Sequence, residues 1–105
     1  MNVTLTKDAD RFLCTIYKEY LIRLDTITRQ EAMYFKNSIM GKDSCLSDFN
    51  SDDMQQFFIE LKSCGFIKVF IGGDFVLEFP AIVYMENRFK NGIKEVVEFI
   101  GNLIP

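Results

Sequence analysis

The sequence contains no histidine and only three cysteines, Cys14, Cys45 and Cys64, which stand far apart and form no C-x-x-C pair. A catalytic cysteine needs a base, usually histidine, and here there is none. The cysteine spacing gives no disulfide framework, which points to a reducing, cytoplasmic setting with the thiols as small buried hydrophobes. No G-x-G-x-x-G and no P-loop occurs. The reading is therefore of a non-enzymatic chain, with no catalytic residue, no metal ligand and no cofactor expected. Long apolar runs are missing as well. Phe57-Phe58-Ile59 and Ala81 to Met85 fall far short of the ~18–20 residues of a membrane span. No basic start with an apolar run follows Met1, so neither a secretion signal nor a membrane partner is expected. Repeats, linkers and low-complexity tracts are also lacking.

What is present is a globular composition. The chain has 105 residues, 49% of them apolar and 11 of them Phe, enough for one domain, residues 1–105, with a real core. The net charge is −3 and the isoelectric point about 4.9. A chain held to DNA by phosphate contacts normally carries a basic surface, so the balance argues mildly against nucleic acid.

Thr6 reads as an N-cap, with Asp8 and Asp10 in the first turn where the helix dipole favours them. Ala9, Phe12, Leu13, Ile16, Tyr17, Tyr20, Leu21 and Leu24 then fall on one side of a helix over about 7–25. Thr28-Arg29-Gln30-Glu31 is a capping box that opens a second helix, expected to run through Phe35 to about Asn37. Gly41 and the polar stretch Lys42 to Ser47 read as a loop. Asn50 or Ser51 caps a third helix with Asp52 and Asp53 in its first turn, Met54, Phe57, Phe58 and Leu61 on its apolar side, and Gly65 as its stop. The period then changes to that of strands. Phe66 to Ile71 and Asp74 to Phe79 flank Gly72-Gly73, which predicts a hairpin with a two-residue type I′ turn. Pro80 closes the second strand and opens a single last helix to Leu103, and Pro105 ends the chain.

The stretch Phe57-Phe58-Ile59-Glu60-Leu61-Lys62-Ser63-Cys64-Gly65-Phe66-Ile67-Lys68 resembles the junction in winged-helix proteins where the third helix ends on Gly and enters the wing. Phe79-Pro80-Ala81-Ile82-Val83-Tyr84-Met85-Glu86-Asn87 is similar to the start of the C-terminal helix in small bacterial and phage winged-helix proteins, including MarR-like and PadR-like regulators and the YjcQ-like group. The resemblance implies an α+β winged helix-turn-helix: three N-terminal helices, a two-stranded wing and a long C-terminal helix. It also implies a regulator that places the third helix in the DNA major groove and the wing on the backbone. Candidates for contact with duplex DNA are Gln55, Gln56, Lys62 and Lys68, with Arg29 and Lys36 before them. Yet Asp48, Asp52, Asp53 and Glu60 oppose a single Lys62 along Asp48–Cys64, no Arg occurs there, and the wing tip is Gly72-Gly73-Asp74. A second reading is therefore an adaptor that binds protein and not nucleic acid.

Asp48-Phe49-Asn50-Ser51-Asp52 opens like a calcium loop, but Asp53 stands where Gly belongs and Ile59 where Glu belongs. Helix capping explains the same residues. Asp8/Asp10 and Asp52/Asp53 likewise read as helix N-terminal acids. In the expected hairpin register, Phe66, Lys68, Phe70, Phe75, Leu77 and Phe79 share one face, and Ile67, Val69, Ile71 and Val76 the other, with Asp74 and Glu78, so both faces are apolar and the second face needs a cover, from helix 1, the last helix or another chain. The last helix has an apolar arc broader than one seam requires. A homodimer is expected, with Met85, Phe89, Ile93, Val96, Ile100 and Leu103 at its interface, as terminal helices provide in many winged-helix proteins.

Overall fold

Thr6 begins the ordered helical part of the chain as expected: its hydroxyl accepts from the Ala9 amide and starts α1, Lys7–Arg23. The computed structural model describes residues 3–103; the expected stop at Pro105 lies outside the described residues. The fold is mixed α+β, with five α-helices and a small antiparallel sheet among the described residues. One continuous core joins all of them. Phe12 of α1 sits at its centre, against Phe49, Phe57, Phe58 and Phe75, with ring centroids 5.1–6.1 Å apart.

The Thr28–Glu31 capping box forms, but α2 spans only Arg29–Ala32. Tyr34–Phe35 is a strand, β1, where a helix to Asn37 was expected. Helix propensity here yields to burial. As a strand residue, Phe35 is fully buried and stacks on Phe75 at 5.2 Å and 7°. Arg23 covers the carbonyls left by the early stop, donating from Nη1 to Tyr34 (2.7 Å) and Ala32 (3.5 Å), which meets the need of a helix end for partners. The expected loop after it contains a small hairpin, β2 (Asn37–Ser38) with β3 (Gly41–Lys42), and a 3-10 turn over Ser44–Leu46 that buries Leu46.

Helix α3, Ser51–Ser63, is capped by Asn50, whose side chain accepts from the Asp53 amide at 2.7 Å and donates to the Asp53 carboxylate at 2.9 Å. Capping therefore accounts for the residues that imitate a calcium loop. At the other end Gly65, at φ 73°, closes a Schellman turn: its amide bonds to Lys62 and the Phe66 amide to Leu61.

Strands β4 (Ile67–Val69) and β5 (Phe75–Leu77) form the expected hairpin, and β1 adds to its far edge, giving the order β1-β5-β4. The register differs by one residue from the expected two-glycine turn. Ile67 faces Leu77, Lys68 faces Val76 and Val69 faces Phe75. The turn holds three residues, Ile71-Gly72-Gly73, closed by hydrogen bonds between Phe70 and Asp74 and between Gly73 and Phe70. A slip of one residue exchanges the faces of a strand. In the observed register Lys68 points to water and Ile67 and Val69 join Phe75 and Leu77 on the core side. The expected register would have paired Lys68 with Leu77 across the core face. The outer face nonetheless keeps apolar groups beside Lys68: Val76, and Tyr34 stacked on the 38% exposed Phe70.

The last helix is two helices, α4 (Phe79–Arg88) and α5 (Ile93–Leu103), where one was expected. Pro80 lies in the first turn of α4, as predicted, but Phe79 belongs to the helix and not to the strand. The break is Phe89-Lys90-Asn91-Gly92, with Gly92 at φ 73°. It lets Phe89 stay buried while α5 folds back along α1. Phe99 of α5 then meets Phe89 edge to face at 5.5 Å.

Candidate interaction surfaces

The residues singled out for DNA contact divide between two regions. Gln55, Gln56 and Lys62 lie exposed on α3. Between them Ile59 stands 62% exposed, and Asp52 and Asp53 are exposed at the helix start. Glu60 is turned away to Thr6, accepting from its amide and its hydroxyl at 2.8 Å each. Lys36 and Lys68 are exposed beside the sheet, Lys36 just after β1 and Lys68 on the outer face of β4. Arg29, on α2, places its guanidinium 4.9 Å from the centre of the Phe79 ring.

That stacking is general. Arg11 lies over Phe49 at 4.7 Å, Arg23 over Phe35 at 4.4 Å, and Arg88 over Phe89 and Phe99 at 4.9 and 4.5 Å. Such contacts hold a cation by the negative face of the ring. Two of the arginines are also in ion pairs: Arg23 with Glu19 and Asp43, and Arg88 with Asp10 in a two-pronged bridge of 2.6 and 2.8 Å. The Asp10 carboxylate pushes the Arg88 guanidinium further toward its charged form. Three of the four arginines, Arg11, Arg23 and Arg88, are therefore half-buried against their own protein, while Arg29 stays exposed over the exposed Phe79 ring. Sequence reading missed this, because each ring and its cation come from separate segments except for Arg88 and Phe89.

The residues expected at a dimer seam are also divided. Met85, Phe89 and Val96 are buried in the protein's own core, and Ile100 and Leu103 are half-buried against it. Ile93 is 41% exposed and Val97, its neighbour one turn on, 49%. The outer flank of the α5 arc is thus Ile93 and Val97, and the inner flank packs within the chain.

The cysteines behave as small hydrophobes. All three are free, Cys14 buried and the other two half-buried. Burial pushes the Cys14 thiol up to about 12, with the Asp10 charge adding to it, and the Cys45 thiol up to about 11, with Glu19 adding. Both are far from the thiolate that nucleophilic chemistry uses. Among the described residues no three Cys, Asp or Glu side chains converge as metal ligands. An open groove of about 480 Å³ runs between Phe66, Phe79, Pro80, Val83, Tyr84 and Asn87. Its lining residues are mostly apolar, with Tyr84 and Asn87 as the polar ones.

One cluster had no counterpart in the sequence reading. The Tyr34 hydroxyl donates to Asp74 at 2.6 Å, and the Asn37 amide donates to the same carboxylate at 2.7 Å. Those bonds, the Tyr34 one first, hold the Asp74 carboxyl below the usual range and fasten the β2–β3 hairpin to the β4–β5 turn. Tyr34 also stacks on Phe70 at 6.0 Å. Each tip carries bare apolar side chains: Ile39 is 103% exposed, Met40 91% and Ile71 107%. Ile39-Met40 inside an otherwise polar loop was the available signal.

No family model matches the chain, and neither a curated protein nor a solved structure matches it. No helix of the described residues is long and apolar enough to cross a membrane.

Proposed function

We propose that the chain is a non-catalytic binding module of winged-helix layout, a small regulator or adaptor that works as a symmetric dimer and takes a protein in preference to DNA. The layout is supported by α3 packing on α1 and ending on Gly65 at the mouth of the β4–β5 hairpin. It departs from the pattern in its second helix, which is a four-residue turn followed by a strand.

The observation that carries the reading is the fate of the arginines. Arg is the side chain suited to bidentate contact with guanine and phosphate, and here every one lies over a phenylalanine of its own chain. The exposed side of α3 offers Asp52, Asp53 and Ile59 beside Gln55, Gln56 and Lys62, a surface poor in charge to neutralise phosphates and suited to a protein contact. The dimer reading rests on the exposed flank of α5, Ile93 and Val97.

Fluorescence anisotropy with mixed-sequence duplex DNA at low and physiological salt tests this. The expected result is no saturable binding at either. Tight binding that falls steeply with salt and weakens in Gln55→Ala or Lys62→Ala would reveal several neutralised phosphates and restore α3 as a DNA-reading helix.

A further inference from the structure

We propose that the two adjoining hairpin tips form a docking surface for the face of an anionic lipid bilayer. Ile39 and Met40 project from the turn between β2 and β3, and Ile71 from the turn between β4 and β5, all three with more than nine-tenths of their surface in water. The two turns are fastened to each other. The Asn37 side chain donates to the Gly73 carbonyl at 3.4 Å, Asp74 accepts from the Asn37 amide, and Gly73 lies so close to Asn37 that a Cβ there would stand 2.3 Å from its carbonyl oxygen. The three apolar side chains lie outside the core, and apolar groups gathered on adjoining turns mark a contact surface where scattered ones do not.

The charges behind the tips decide the occupant. Lys36, Lys42 and Lys68 are all exposed, and each lies two or three residues back from an apolar tip residue. At ~3.3 Å per extended residue the chain can set them at most roughly 7–10 Å behind the tips. None of the three is in an ion pair among the described residues, though the Lys68 ammonium lies 5.7 Å from the centre of the Phe70 ring. Of the neighbouring carboxylates, Asp43 is paired with Arg23, while Asp74 keeps its charge among the Tyr34 hydroxyl and the Asn37 amide, so three lysines and Arg23 stand against two carboxylates around the tips. Apolar groups in front with cations at this depth behind suit a bilayer interface, where apolar side chains enter about 5–10 Å and lysines meet anionic headgroups. The tips are convex, so a protein partner would need clefts cut to match, whereas a bilayer yields. Such docking concerns the membrane surface only and needs no spanning helix. It is independent of whether α3 meets protein or DNA.

The test is co-sedimentation of the full chain with vesicles of phosphatidylcholine alone, or with about one lipid in three replaced by phosphatidylglycerol to give the negative surface potential that attracts lysines. The expected result is binding to the anionic vesicles, little to the neutral ones, and a decline as salt rises. The substituted positions in Ile39→Ser/Ile71→Ser are solvent-exposed, so an unchanged circular dichroism spectrum confirms the fold, and binding should weaken at least about tenfold. Lys36→Gln, Lys42→Gln and Lys68→Gln should each weaken it about fivefold. Failure to bind anionic vesicles at low salt overturns the proposal. So does vesicle binding that the tip variants leave intact, or duplex DNA binding that the tip variants abolish while vesicles are ignored.

Discussion

Asp74 shows how much one side chain can organise. Its carboxylate takes the Tyr34 hydroxyl and the Asn37 amide, so two segments distant in sequence meet at one charged group. Its pKa is depressed by these bonds. The stabilisation is therefore complete above the unfolded aspartate value of about 3.9 and fades as pH falls through the lower folded value. Urea unfolding of the parent and of Asp74→Asn should show a gap in stability at neutral pH that narrows below about pH 4. A gap that stays constant across the titration would mean that the carboxylate's charge is irrelevant to the hairpin. At the same scale, Arg88 ties α4 to α1 through Asp10 and covers the Phe89–Phe99 pair. Neither residue was legible as a site. Asp74 stood in the sequence as a wing-tip acid, and its partners lie 37 and 40 residues away.

Among the elements, those set by local chemistry agree with the sequence and those set by competition for the core do not. Helix α1 follows from the Thr6 cap and its apolar stripe, and α3 from Asn50 at one end and Gly65 at the other. The strand β1 was hidden because a capping box announces a helix start but not its length, and Phe35 gains more by stacking on Phe75 than by extending α2. The hairpin itself was legible from Gly72-Gly73, but its register was not, since that depends on which neighbours accept Lys68. The break before α5 had a signal in Asn91-Gly92 that the continuous apolar arc obscured. If β1 is as central as its packing implies, Phe35→Ala should cost about 3–5 kcal/mol of stability in chemical denaturation. A cost below about 1 kcal/mol, the level of an exposed site, would show that this segment is peripheral.

For the molecule as a whole, the broad apolar arc of the C-terminal region is divided between core and surface. Met85, Phe89 and Val96 complete the core, so a charge placed there would unfold the chain and say nothing about association. Ile93 and Val97 remain outside on α5, Ile39, Met40 and Ile71 on the tips, and Ile59 on α3. With Arg11, Arg23 and Arg88 packed on rings of their own chain, the proposed dimer rests on the apolar groups left outside on α5. Sedimentation equilibrium of the parent chain beside Val97→Glu measures this most directly. The account predicts twice the chain mass for the parent and the single-chain mass for a folded Val97→Glu. A parent at the single-chain mass, or a variant that still associates, would contradict it.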